Sequence, residues 1–375
     1  MTAKKIVKHS DINSKRTSGD IFIPISVVLL TIIGTVFIYS ASSYSAGATY
    51  GDSFYFVKKQ VIGILLGIVA MIGACFIDYK KLKKFRYLVA IISVILLLLV
   101  FVPGIGIENY GAKRWIGFGS ITLQPSEVAK FSLILFSAGY ISEKTDKMRT
   151  FKGILPILSF GLLLCLLIIA EPNMSITVCM ALLMVTLLFA GGMRIKHFII
   201  LIIPAVAVAV LLILMEPYRL NRLSAFLNPW ASPKGEGYQL LQSLYALGSG
   251  GWFGVGLFNS RQKYAFLPFS ESDFILSIVG EEIGFIGILL FFALLFFIVY
   301  RGIRTAIKAK DVFGYIMSVG ITMIFGIQVV INALVVSGAI PPTGLPLPLV
   351  SSGNTSIIIF MAEMGILYNI SKQSR

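Results

Sequence analysis

The sequence predicts an all-α fold: a polytopic membrane protein of about ten transmembrane helices, with both termini cytoplasmic and one large outer loop. Three observations lead there. The 375 residues are 57% hydrophobic and only 13% charged, with a mean hydropathy of +0.89, whereas a soluble domain is about a quarter charged. Apolar runs of roughly 20 residues, the length a helix needs to cross hydrocarbon, recur along the chain. The alternating strands of an outer-membrane barrel are absent.

The runs place spans near 21–45, 56–77, 87–102, 125–142, 153–170, 174–191, 198–215, 273–299, 313–338 and 351–369. Residues 1–20 read as a cytoplasmic tail expected to be flexible, and 21–375 as a single transmembrane domain. The first apolar stretch is too long for a signal h-region, although YSASSYSAG could mimic a cleavage site. With the N-terminus inside, the inner segments hold 22 of the 32 basic residues, in the tail, DYKKLKKFRY (78–87), EKTDKMRTFK (143–152), 194–196, 301–310 and the C-terminus. The positive-inside rule accounts for the net charge of +15, so no nucleic-acid partner is implied, and contact with anionic membrane lipids follows naturally. Connections are short, except for about 216–272. That segment is punctuated by Gly and Pro and rich in aromatics, which argues against one helix and against disorder. Within it QLLQSLYAL (239–247) is amphipathic and could lie on the membrane surface or re-enter.

Cys75, Cys165 and Cys179 sit in apolar runs without metal spacing and read as packing residues. His9 and His197 both fall on the inner side, so chemistry on the outer face would run on carboxylates, lysines and hydroxyls. The stretch FLPFSESDFILSIVGEEIGF (266–285) supplies four acids, and an ionisable group in a span is a functional-site hypothesis by default. Asp273, at the outer mouth of the eighth span, is shallow enough to meet water and act as a base. Glu281 lies about 12 Å deeper on a flank, and Glu282 is rotated by about 180° from Asp273. Structural pairing with cations or backbone donors is the favoured reading for both.

In GIENYGAKRWIGFGSITLQPSEVAKF (106–131), Lys113, Arg114 and Trp115 read as a short outer loop, and Pro125 and Ser126 as a helix start. Glu127 and Lys130 share a helix face, as either a self-satisfying ion pair or the charged floor of a cavity. Trp115 could equally be an interfacial anchor. Arg219 and Arg222 in YRLNR would suit a pyrophosphate or, more plainly, lipid headgroups. The last outer loop, PPTGLPLPLVSSGNTS (341–356), is a proline-stiffened lid. Its hydroxyls from Ser351 onward could cap the next helix or bind sugar hydroxyls, capping being the cheaper explanation. No Walker or Rossmann fingerprint occurs.

Three long strings in order, GAKRWIGFGSITLQPSEVAKF, NPWASPKGEGYQLLQSLYALGSGGWFGVGLFNSRQKYAFLP and AIPPTGLPLPLVSSG, resemble the SEDS family (shape, elongation, division and sporulation proteins), most closely its FtsW/SpoVE branch. The similarity runs from about residue 39 to the end. The resemblance implies ten helices and a peptidoglycan glycosyltransferase, an enzyme polymerising lipid II on the outer face of the bacterial cytoplasmic membrane in cell division or in spore septum or cortex synthesis. It implies an inverting displacement on an undecaprenyl-pyrophosphate-linked donor. The family's essential aspartate falls on Asp273, its loop tryptophan on Trp115, and its glutamate and lysine on Glu127 and Lys130. Arg219, Arg222, Lys130 or Lys263 would offset charge on the leaving pyrophosphate, and Ser351 would bind substrate. A divalent cation, magnesium or manganese, could share that task, while no site supports zinc. The implied partner is a class B penicillin-binding protein, a transpeptidase, among other divisome or sporulation proteins.

Three departures lie around the site: Glu271-Ser272-Asp273 for His-Thr-Asp, Glu171-Pro172-Asn173 for Glu- or Gln-Pro-Asp, and Ser351-Ser352-Gly353-Asn354-Thr355 for Ser-Tyr-Gly-Gly-Ser. Glu271 is expected to raise the proton affinity of Asp273 by like-charge repulsion. The competing readings are a lipid II flippase and a non-catalytic septal scaffold.

Overall fold

The computed structural model describes residues 19–109, 112–118, 121–215 and 217–374; the predicted tail lies outside the described residues up to position 18. In chain order the helices are α1 (Phe22–Tyr50), α2 (Tyr55–Phe76), the one-turn α3 (Tyr79–Leu82), α4 (Arg86–Leu99), α5 (Pro125–Glu143), α6 (Phe151–Ala170) and α7 (Met174–Ala190). They continue with α8 (Ile195–Leu214), α9 (Pro217–Leu227), α10 (Tyr238–Gly250), α11 (Ile275–Lys308), α12 (Val312–Val336) and α13 (Asn354–Gln373). Every predicted span has its helix, and α3, α9 and α10 fall in connections. Among the described residues five helices, α1, α2, α6, α11 and α12, are both long and apolar enough to cross a bilayer.

Local chemistry sets several helix starts. Pro125 opens α5, where its missing N–H costs nothing. Thr150, Asn173 and Asp311 cap α6, α7 and α12, each side chain accepting an orphan backbone N–H. Many outward side chains are apolar and exposed, such as Val69 and Phe76 on α2 and Ile195, Ile203 and Leu214 on α8. In lipid such faces gain nothing by hiding, so helix association rests on close packing. At the α2–α13 seam a Cβ on Gly67 would stand 2.5 Å from Met361 Sδ, and one on Gly365 2.4 Å from the Met71 carbonyl oxygen.

One end of the bundle gathers the segments predicted to be inside. Arg301 Nε donates to Asp20 Oδ2 at 2.7 Å, and the Asp20 amide donates to Ser371 Oγ at 2.8 Å. The Tyr79 amide donates to Asn369 Oδ1, its hydroxyl donates to Asp311, and Arg86 pairs with Glu143 at 2.8 Å. Asp20 is 5% exposed. The tail boundary at 20 is therefore corrected: the packed body already includes Asp20, because its carboxylate neutralises a buried arginine.

Two further corrections concern the connections. Residues predicted as a short outer loop form an antiparallel sheet, β1 (Gly106–Asn109), β2 (Ala112–Phe118) and β3 (Ile121–Leu123), in the order β1-β2-β3. Trp115 stands opposite Ile107. The strands have only four, seven and three residues, too short and glycine-punctuated to give a strand signature. The eighth span is broken: Gly284 (φ 67°, ψ −171°) occupies backbone space open essentially to glycine. The groups freed by the break pair with residues 251–256. Phe285 N donates to Gly251 O (2.9 Å) and Ile286 N to Trp252 O (3.1 Å), while Val255 N donates to Glu281 O (2.9 Å) and Gly256 N to Glu282 O (3.1 Å). The large loop thus inserts a segment beside α11, where unpaired backbone groups in an apolar medium would be costly.

Candidate active site

At the end of the bundle opposite the basic one, three chain segments converge on Asp273. It lies two residues before α11, half-buried. Asn332 of α12, 1% exposed, donates from one amide nitrogen to the Asp273 carbonyl and to the Leu345 carbonyl, both at 2.8 Å. Ser351 Oγ donates to Ser272 O at 2.6 Å and accepts from Leu347 N at 2.8 Å; Ser352 N donates to Glu271 O at 3.0 Å. The loop 271–273 is therefore fastened residue by residue to α12 and the proline-rich lid. A Cβ on Gly344 (φ 73°) would lie 3.3 Å from Asp273 Oδ2, so the carboxylate runs along the lid's backbone.

The lid is tied in turn to its neighbours. Ser175 Oγ donates to Thr343 O, and Arg114 of β2 donates to Pro172 O in the α6–α7 turn. Thr355 Oγ1 donates to Thr122 O at 2.8 Å and accepts from Gln124 N, joining α13 to β3 and the start of α5. α13 has no side-chain cap. The capping expected of the hydroxyls is thus corrected: they stitch the sheet, the Asp273 loop and the lid together.

Two acids near this belt titrate unusually. Burial pushes the Glu171 carboxyl from an ordinary 4.5 up to about 8, with the Arg114 charge opposing. Burial also raises Glu271. A carboxyl that holds its proton more tightly folded than unfolded stabilises the fold most below about pH 4.5. That contribution disappears as pH climbs through about 8. Glu171→Gln is accordingly expected to gain a few degrees of thermal midpoint at pH 8 relative to wild type and to lose that advantage at pH 5, as read by thermal unfolding across the range.

Other predicted residues make contacts of their own. Glu127 and Lys130, each 2% exposed, meet at 2.7 Å in the first turns of α5, with Lys130 Nζ 5.3 Å from the Phe360 ring centre on α13. Trp115 is half-buried on β2. Lys263, 6% exposed, donates to Phe258 O and lies 4.0 Å from Glu282 Oε1, so it is part of an internal lock. Glu281 accepts from Arg261 N (3.0 Å), Gln262 N (3.4 Å), Ser249 Oγ (3.3 Å) and Ser260 Oγ. Glu282 accepts from Ser40 Oγ and Ser260 N. The structural reading of both glutamates holds. Arg219 and Arg222 are on α9, and their side chains lie outside the described residues.

Two residues escaped sequence reasoning. Asn332 in VVINALVV and Glu363 in IIIFMAEMGILY are polar groups within apolar runs of their spans, and that setting was the available signal. An open cleft of about 550 Å³, lined by Ser232, Lys234, Glu236, Tyr238, Gln239 and Phe269 among others, carries none of the predicted site residues. Among the described residues no three His, Cys, Asp or Glu side chains are grouped to hold a metal ion.

Comparison with known proteins gives consistent matches. Residues 21–375 match the FtsW/RodA/SpoVE family model, described as "Cell cycle protein". Stage V sporulation protein E of Bacillus subtilis is 40% identical over 363 residues, covering 96% of this chain and 99% of that protein. A probable peptidoglycan glycosyltransferase FtsW of Geobacter metallireducens is 39% identical over 357 residues, covering 95% of each. Among solved structures, a chain from work on the structural coordination of polymerization and crosslinking by a peptidoglycan synthase complex superposes with a TM-score of 0.78 at 24% identity, covering 95% of this chain and 98% of its own. Thermus thermophilus RodA superposes at 0.70 with 23% identity, over 95% and 97%.

Proposed function

Because the chain belongs to the FtsW/RodA/SpoVE family, we propose that it is a peptidoglycan glycosyltransferase that polymerises lipid II at the outer face of the bacterial cytoplasmic membrane. The observation that carries this reading is the half-buried Asp273, fastened on three sides at the end of the bundle away from the basic residues. Its carboxylate takes the proton of the acceptor sugar's 4-hydroxyl. That oxygen then forms a bond to the donor's anomeric carbon as the bond to undecaprenyl pyrophosphate breaks, and a single displacement inverts the anomer. General-base assistance of this kind is worth about 10²–10⁴ in rate.

Of the four cations expected at the leaving group, Lys130 and Lys263 are engaged in buried ion pairs. Stabilising the departing pyrophosphate therefore falls mainly to Arg219 and Arg222 on α9, with Lys130 and Glu127 setting the field beneath. Trp115 supplies a flat apolar surface beside the acceptor, and Ser351 acts by holding the Asp273 loop. Magnesium or manganese would share the charge of the leaving pyrophosphate if bound. The partner is a class B penicillin-binding protein, and the setting is the division or sporulation septum.

Reconstitution tests the reading. The purified chain, alone and with its transpeptidase, is given lipid II in proteoliposomes, and glycan strands are resolved by gel. Polymer supports the enzyme. Lipid II that crosses the bilayer without forming polymer makes the chain a flippase, and neither outcome in the presence of the partner leaves a scaffold.

A further inference from the structure

The large outer loop encloses open space that the mechanism above leaves unused. The cleft of about 550 Å³ is lined by Ser232, Lys234, Glu236, Tyr238, Gln239 and Phe269. Glu236 and Gln239 also line a smaller recess that ends on Pro342 of the lid. The two hollows therefore share a wall and run together from Phe269 to the lid. Both ends belong to segments that hold Asp273. Phe269 lies four residues before it, and Gly344, two residues after Pro342, is where its carboxylate runs along the lid. The walls are fixed. Gln239 Nε2 donates to Pro268 O at 3.2 Å and Ser270 Oγ to Ala41 O at 3.1 Å, one on each side of Phe269. Beneath them, Ser243 Oγ of α10 donates to Val336 O of α12 at 2.7 Å. Phe269 is 38% exposed and has a left-handed backbone (φ 56°), a strained conformation for a bulky residue. An aromatic ring is thus kept at the cleft wall rather than in the core.

The lining matches one class of ligand. A sugar ring has apolar C–H faces and a rim of hydroxyls. Tyr238 and Phe269 offer flat rings to the faces. The Glu236 carboxylate, the Gln239 amide, the Ser232 hydroxyl and the Lys234 ammonium offer acceptors and donors to the rim. One cation and one anion leave the lining without net charge, which suits a neutral polyol better than a charged peptide. The volume is that of an ordinary ligand cleft. We propose that this cleft is a glycan subsite, holding sugar residues of the strand next to the pair that reacts at Asp273. That the bound strand is the enzyme's own product rests on the glycosyltransferase reading; binding of saccharide to the cleft does not.

Full-length wild type, Tyr238→Ala and Glu236→Ala are purified in detergent. Each is titrated by calorimetry with a lipid-free peptidoglycan hexasaccharide stripped of its peptides, and separately with the free peptide of lipid II. Strand lengths formed from lipid II with the partner are resolved by gel. The hexasaccharide is expected to bind wild type, and to bind each variant about fivefold or more weakly. Both variants are expected to make shorter strands, because a strand held less tightly leaves sooner. Glu236 is exposed, so Glu236→Ala should keep the wild-type thermal midpoint and decides the matter if Tyr238→Ala is destabilised. Failure of the hexasaccharide to bind wild type, undiminished binding by Glu236→Ala, strands of wild-type length from both variants, or binding of the peptide alone overturns the proposal. If wild type makes no polymer yet binds the hexasaccharide through these side chains, the glycosyltransferase reading fails and the saccharide site stands. Polymer without saccharide binding keeps that reading and removes the subsite.

Discussion

Asp273→Asn is expected to abolish most polymerisation while leaving the protein folded. The amide keeps the shape of the carboxylate but has no lone pair basic enough to take the acceptor's proton, so kcat is expected to fall about 10²–10⁴-fold. The fold is expected to be spared because Asn332 bonds to the backbone carbonyl of residue 273, which the substitution retains. The measurement is glycan-strand formation from lipid II by purified wild type and variant, with the thermal midpoints compared in the same preparations. Full activity in a variant of unchanged midpoint removes Asp273 from the role of base. A variant that is inactive and also strongly destabilised points to a structural role instead.

Glu281→Gln is expected to produce the largest loss of stability. Four donors converge on that carboxylate: two backbone amides and two hydroxyls. A carboxylate accepts on both oxygens; an amide presents N–H groups to at least one donor, setting donor against donor in a site 1% exposed. Breaking a buried network of this kind costs roughly 3 kcal/mol or more. The damage is not local, because residues 260–262 belong to the loop that leads to Asp273 and Val255 pairs with the Glu281 carbonyl across the break in α11. The variant should purify in low yield with a depressed thermal midpoint and little activity. Exposed Asp52, whose pair with Lys58 stands in solvent, serves as the comparison, since Asp52→Asn should change the midpoint little. A Glu281→Gln protein as stable as wild type contradicts the assignment.

How far the chain could be read in advance differs from feature to feature. The spans were legible because a run such as ILPILSFGLLLCLLIIA has one stable solution in hydrocarbon, a helix that satisfies its own backbone. The break at Gly284 was not legible: the sequence shows only a glycine in an apolar run, and what permits the break is a row of donors and acceptors some thirty residues earlier. The small sheet was hidden by strands too short to show a period. Asp273 and the Glu127–Lys130 pair were marked as candidates by the expense of charge in or beside a span. Yet Ser351 and Lys263, named on the same grounds of chemistry, turn out to be engaged in holding loops.

The sequence by itself determined the class, the approximate positions of the apolar spans, the grouping of basic segments at one end and the family. These follow from composition and from spacing along the chain, which the fixed rise of a helix converts directly into length and facing. Only the tertiary structure decided which polar groups meet: Ser40 with Glu282 across 242 positions, Asn332 with both Asp273 and Leu345, Lys130 with α13. Such partners are chosen by how helices pack side by side, and a buried donor or acceptor must find its partner wherever packing places one.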